Sequence, residues 1–129
     1  MNKILVEVSV GELLDKISIL EIKKEKIKDS EKLIFINDEY LVLTKQLDEN
    51  IILKDDLKKL YEELKAINAK LWDIEDNKRM CEKNSDFGEN FIKLSRDVHF
   101  LNDERAKIKL AINNKTGSKI KEIKQYTNY

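Results

Sequence analysis

The stretch that most constrains the fold is residues 87–112, FGENFIKLSRDVHFLNDERAKIKLAI, where apolar side chains recur at helical spacing. The apolar stripe consists of Phe91, Leu94, Val98, Leu101, Ile108 and Ile112. At about 100° per residue, these positions share one side of a helix. The pattern therefore predicts a long helix with one side packed against other helices.

Arg105 lies in the middle of this stripe. A guanidinium keeps its proton in proteins and offers only hydrogen-bond donors. If the stripe is buried, Arg105 needs a carboxylate, an amide or a ligand beside it, because an unpaired buried charge is very costly.

Further helices are predicted upstream. The chain has no proline and three glycines in 129 residues, which suits long uninterrupted helices. Ser9 and Glu12 have the spacing of a capping box at a helix start. Apolar residues at helical spacing predict a second helix over residues 33–47 and a third over residues 55–83, with Asp55 as its N-cap.

The third helix would be about 44 Å long and would match the helix of residues 87–112. Residues 84–88, NSDFG, can turn the chain between them, so the two helices are predicted to form an antiparallel hairpin. Residues whose numbers sum to about 171 would then face each other. The predicted fold is all-α: an antiparallel bundle of about four helices dominated by this hairpin, in one domain over residues 1–129.

A short two-stranded ribbon formed by the termini is a further expectation. Residues 3–8 are rich in β-branched side chains and alternate as a strand does. Residues 119–126, KIKEIKQY, follow a helix-breaking segment and are the available partner.

The hairpin register brings Arg105 close to Asn68 and places Glu75 near Arg96 and His99. Asn68 and Asn102 are the predicted neutral partners of Arg105, and Glu21 of the first helix is its predicted carboxylate. The candidate buried polar cluster has six members: Glu21, Lys24, Asn68, Glu75, Asn102 and Arg105.

Four further residues are possible accessories to such a site: Arg96, His99, Asp103 and Trp72. His99 could act as a general base only with an orienting carboxylate, and Asp103 lies four residues on. Trp72 is better explained as a packing anchor. No metal site and no cofactor are predicted, since one cysteine and one histidine cannot build a zinc site and the acidic runs lack Glu-x-x-His pairs.

The charge balance bears on partners. The 25 basic and 25 acidic side chains cancel, so no net field favours nucleic acid or an anionic membrane. A lysine-rich group near the C-terminus is locally basic, but it lacks arginine beyond Arg105 and has few exposed aromatic side chains for base stacking. It comprises Lys107, Lys109, Lys115, Lys119, Lys121 and Lys124. We find no signal peptide or membrane span in the sequence, and the single Cys81 suits a reducing cytoplasm.

Three segments resemble a family of short bacterial helical proteins known only as a domain of unknown function. They are SVGELLDK from Ser9, KLWDIED from Lys70 and NDERAKIK from Asn102, and the similarity covers nearly the whole chain. The resemblance implies a helical single domain, and it implies no catalytic residue.

Three interpretations of the function follow, and whether the protein is an enzyme stays open. The first is protein–protein association as a homodimer, because second apolar faces are expected at Ile19 and Ile22, at Phe35 and Val42, and at Ile92, Phe100 and Leu110. The second is a cofactor-free all-α enzyme or anion-binding protein of the chorismate-mutase kind. In it, Arg105 and Lys24 would hold a small anionic ligand, with Glu21 or Glu75 as hydrogen-bond partner. The third, and the least favoured, is an accessory nucleic-acid-binding module that uses the lysine-rich tail.

Overall fold

The computed structural model describes residues 2–119 and 122–129. In this part of the chain the fold is all-helical and has four helices: α1 (Val10–Lys26), α2 (Ser30–Asn50), α3 (Asp55–Lys83) and α4 (Glu89–Thr116). The predicted all-α class is confirmed.

Local signals account for the helix ends. Ser9 caps α1, its hydroxyl accepting the backbone N–H of Glu12 at 3.0 Å as predicted. The second half of the predicted capping box is wrong, because the Glu12 carboxylate binds Lys109 of α4 instead. Asp55 is not the N-cap of α3 but its first residue, where its charge suits the positive end of the helix dipole. At the end of α4, Gly117 has a φ of 66°, the left-handed conformation that glycine adopts without strain.

The helices pack in three layers. α1 lies between α2 on one side and the α3–α4 pair on the other, and it contacts all three. Its burial on several sides explains why Ile22 is fully buried and Ile19 is half-buried. Contrary to the prediction, Ile22 is therefore not part of an exposed apolar face, and Ile19 is exposed only in part.

The apolar core is concentrated where α1 covers the α3–α4 pair. It contains Leu14, Ile17, Leu47, Leu57, Leu64 and Ile112. α1 has 17 residues and α3 has 29, so at about 1.5 Å per residue α1 spans little more than half of α3. In α4, the buried residues are Lys109, Ile112 and Asn113, all near the C-terminal end of that helix.

The predicted terminal ribbon does not form in the described part of the chain. Residues 2–9 have no regular secondary structure, and Ile4 and Leu5 are almost fully exposed. Residues 122–126 are also without a strand, while residues 120 and 121 of the predicted second strand lie outside the described residues. An isolated two-stranded ribbon is only marginally stable in water.

Candidate functional site

The most highly organised polar contact joins Asp15 of α1 to Arg105 of α4. Nε of Arg105 donates to Oδ1 of Asp15 at 2.9 Å, and Nη2 donates to Oδ2 at 2.5 Å. Asp15 is buried and Arg105 is half-buried. This two-point arrangement is the strong form of the arginine–carboxylate pair.

Asn68 of α3 completes the network from the third helix. Its Nδ2 donates both to Oδ1 of Asp15 at 2.9 Å and to the hydroxyl of Ser18 at 2.8 Å. The Ser18 hydroxyl in turn donates to the backbone carbonyl of Asp15 at 2.7 Å. Asp15, Asn68, Ser18 and Arg105, the Asp15 network below, therefore tie α1, α3 and α4 together at one point.

A second ionic group lies one turn along α4 from Arg105. Nζ of Lys109 is 2.8 Å from Glu12, 3.0 Å from Glu122 and 3.9 Å from Asp15. Taken together, two cations, Arg105 and Lys109, face three carboxylates. Lys124 lies 3.4 Å from Glu122 and Lys16 lies 4.0 Å from Glu12, so further lysines help to compensate these carboxylates.

These contacts shift the pKa values of the buried groups. Burial raises the pKa of Asp15, but hydrogen bonds from Arg105 and Asn68 and the charges of Arg105 and Lys109 outweigh it, so the pKa lies below its ordinary 3.8. Burial lowers the pKa of Lys109, but its hydrogen bonds to Glu12 and Glu122 prevail, so that pKa lies above its ordinary value. Asp15 and Lys109 are thus held in their charged forms.

Close packing of α1 on α4 accompanies the network. The backbone N–H of Gly11 donates to Oδ1 of the buried Asn113 at 2.7 Å. A Cβ on Gly11 would lie 2.6 Å from the backbone carbonyl oxygen of Lys109, so only glycine fits there without a shift.

The structure places the six residues of the predicted polar cluster in different environments. Asn68 and Arg105 do meet, through Asp15, and Asn102 accepts from Nη1 of Arg105 at the long distance of 3.5 Å. The predicted carboxylate is wrong: Asp15 takes that position, because it is on the side of α1 that faces α4, whereas Glu21 faces α3 and contacts Lys65 at 3.7 Å.

The other two members lie elsewhere. Lys24 is exposed, and its Nζ lies 4.1 Å from the ring centroid of Tyr40 in α2. Glu75 pairs with Arg79 one turn along α3, at 3.0 Å. Neither belongs to the Asp15 network.

Two of the accessory residues, Arg96 and His99, are exposed on α4. The His99 ring contacts Phe100 and Tyr129, with centroid distances of 4.3 and 5.3 Å. Asp103 accepts a hydrogen bond from the Tyr129 hydroxyl. The catalytic pairing of His99 with Asp103 therefore has no geometric support.

The remaining accessory residue, Trp72, is half-buried in the wall of a groove of about 410 Å³ between α1, α3 and α4. Ile19, Ile22 and Leu71 form the rest of its apolar surface, and Arg105, Asn68, Glu75, Asp76 and Arg79 supply polar groups. The Asp15 network thus contributes two residues, Asn68 and Arg105, to an open groove.

No group of three or more histidine, cysteine, aspartate and glutamate side chains in the described residues is arranged to hold a metal ion. Over the same residues, none of the helices combines the length and apolarity that a bilayer crossing demands.

The geometry defines a small all-helical protein whose layers are joined by a buried ionic network. Its family is one without an assigned function: the chain belongs to the "Family of unknown function (DUF6165)", whose model matches residues 4–129. This confirms the resemblance found in the sequence. No curated protein and no solved structure shows significant similarity to the chain.

Proposed function

We propose that the protein acts by protein–protein association, as a homodimer formed through the outer face of α2. One observation carries this proposal: four large apolar side chains on this face are exposed, Ile34 by 59%, Phe35 by 76%, Leu41 by 66% and Val42 by 63%. A contiguous exposed apolar patch on a small protein marks an interaction surface.

The face is regular. Ile34 and Leu41 are seven residues apart, as are Phe35 and Val42, so both pairs lie on one side of the helix. The opposite side of α2 packs inward, with Ile36 and Leu47 buried. α2 is therefore apolar on both sides, although α1 covers only one of them.

The charges on the outer face favour a second copy of the chain as the partner. Asp38 and Lys45 run along the middle of the face, on either side of Leu41 and Val42. In an antiparallel pair of α2 helices with the two-fold axis between residues 41 and 42, Asp38 of each copy would meet Lys45 of the other. Such a surface is self-complementary, as an isologous dimer contact requires.

Charge reversal tests this arrangement. Either Asp38→Lys or Lys45→Asp replaces two opposite-charge contacts by two like-charge contacts, so each variant should dimerise less tightly by about 2 kcal/mol, roughly thirtyfold in Kd. Mixing the two variants should restore a heterodimer, because every contact is then again between opposite charges. Sedimentation equilibrium at micromolar concentrations measures both effects.

Glu39→Lys is the matched control, since it makes the same charge change on the neighbouring exposed residue, away from the middle of the face. It should dimerise as the parent does. If the parent protein were still monomeric at about 100 μM, the homodimer would be refuted. Dimers of Asp38→Lys as tight as the parent's would refute this face.

We further propose that α3 and α4 form an antiparallel hairpin that supports the α1–α2 layers. Lys115 of α4 pairs with Asp56 of α3 at 3.3 Å, and Asn90 of α4 contacts the Cys81 sulfur at 3.6 Å. Both pairs of residue numbers sum to 171, the register predicted from the sequence. A cytoplasmic location is also proposed, supported by the free and buried thiol of Cys81.

The nucleic-acid interpretation gains no support from the lysine-rich tail. Lys109, Lys115 and Lys124 each pair with a carboxylate of the same chain, and Lys121 lies outside the described residues. The positive charge of these three lysines is thus partly compensated within the protein, which weakens their attraction for phosphates.

A further inference from the structure

We propose that the groove beside Arg105 binds a small molecule that has an apolar body of about one ring and a neutral head that both donates and accepts hydrogen bonds, as a primary amide does. This site is separate from the α2 face, and it does not depend on dimerisation. It also differs from the anionic ligand expected from the sequence.

The shape and lining of the groove suit such a molecule. Its volume of about 410 Å³ lies in the range of small-molecule sites, which are mostly apolar with a few directed polar groups. Ile19, Ile22, Leu71 and Trp72 form the apolar surface and come from two helices that the Asp15 network holds together. The hydrogen bonds of the Asp15 network therefore hold the two helices that form the groove.

Asn68 supplies a hydrogen-bond acceptor. The side chain is 95% buried and lines the groove, its relative exposure being 5%. Both hydrogens of its Nδ2 are used, one by Asp15 and one by Ser18. The hydrogen bonds of this side chain to Asp15 and Ser18 both use Nδ2, so Oδ1 is the atom with which Asn68 would accept a hydrogen bond from a ligand in the groove.

Arg105 supplies donors without adding net charge. Its Nε and one hydrogen of Nη2 bind Asp15, and Nη1 makes only the 3.5 Å contact with Asn102. A guanidinium carries five N–H groups, so donors remain for a ligand on the groove side. Asp15 already compensates the positive charge.

The charged side chains at the edge of the groove do not give it a net positive charge. Arg79 pairs with Glu75 at 3.0 Å, and Asp76 adds a further carboxylate. A carboxylate head would therefore approach a site that is neutral to slightly negative, and an ammonium head would meet the donors of Arg105. An uncharged donor–acceptor head satisfies Asn68 and Arg105 together.

Three probes with one common body test the head group: 3-phenylpropanamide, 3-phenylpropanoate and 3-phenylpropylamine. Trp72 is the single tryptophan of the sequence, so its fluorescence on excitation at about 295 nm reports directly on the groove. The amide should bind with a Kd at least tenfold lower than those of both charged probes. Absence of binding by all three, or tighter binding of either charged probe, would overturn the proposal.

The position of the site is tested by filling the groove. Ile19→Phe adds a ring to its wall and should weaken amide binding at least tenfold, whereas Ile52→Phe, at an exposed position between α2 and α3, should leave it unchanged. On the parent protein, NMR titration should move the Asn68 side-chain amide and Trp72 indole signals, a measurement that needs no variant. Unchanged signals at saturation, or unaffected binding to a folded Ile19→Phe protein, would refute this location.

Discussion

Replacement of Asp15 by alanine is the most direct test of the network that joins the layers. The change leaves Arg105 half-buried without its carboxylate and removes one of the two acceptors of Asn68. It also removes an anion from the vicinity of Lys109. Loss of one partner of a buried ion pair costs about 3–5 kcal/mol, since the remaining charge is uncompensated.

Because Arg105 is partly exposed, we expect the loss of stability to lie near the lower end of this range of about 3–5 kcal/mol. The Arg105 side chain keeps 28% of its exposure, so water can solvate part of the orphaned guanidinium. We expect Asp15→Ala to lower the free energy of unfolding by about 3 kcal/mol, with a decrease in Tm on the order of 10 °C. Urea unfolding followed by far-ultraviolet circular dichroism, at one fixed protein concentration, measures the loss.

Glu75→Ala is the matched control, because it also breaks a carboxylate–arginine pair but at an exposed site. Glu75 and Arg79 retain 46% and 73% of their side-chain exposure. The cost should stay below about 1 kcal/mol. If Asp15→Ala were no more destabilising than Glu75→Ala, the account of the Asp15 network as the tie between layers would be wrong.

Three further outcomes are expected. The stability difference between the parent and Asp15→Asn should be fully present near neutral pH. It should shrink as the pH falls below 3.8 toward the depressed folded-state pKa of Asp15. Urea titrations at a series of pH values measure this difference, and a difference that does not change with pH down to about 2 would contradict the prediction. Gly11→Ala should destabilise by about 1–3 kcal/mol despite the better helix propensity of alanine, because its Cβ meets a backbone carbonyl, while Gly88→Ala, with its nearest neighbour at 3.6 Å, should change stability by less than about 1 kcal/mol. Cys81 is buried, so in native protein it should react with a thiol reagent far more slowly than after denaturation, and equal rates would indicate an open site.

The helices could be predicted because their signals are local. Ser9 before an acidic first turn, the absence of proline and the apolar repeat of residues 87–112 act over a few residues each. Local signals do not decide whether the termini form strands. β-Branched composition fits an extended chain, but a strand also needs a paired edge, which the local sequence does not contain.

The carboxylate partner of Arg105 is harder to predict, because the rotation of α1 about its axis determines which of its carboxylates faces α4. Glu21 lies in line with the apolar positions of α1, and this position predicts it as the carboxylate partner. Gly11, Asp15, Ser18 and Ile22 recur at spacings of four, three and four, so they form a second stripe of mostly small and polar residues. This stripe is the signal that could have identified the side of α1 in contact with α3 and α4.

The contacts between α1 and α4 have a consequence for the order of folding. Arg105 binds Asp15 across 90 positions of the chain, and Gly11 binds Asn113 across 102. Contacts this distant in sequence require closure of a very long loop, whereas α3 and α4 are neighbours along the chain and can associate early. During synthesis α1 is made first, yet its aspartate has no guanidinium to bind until the ribosome has completed more than half of α4.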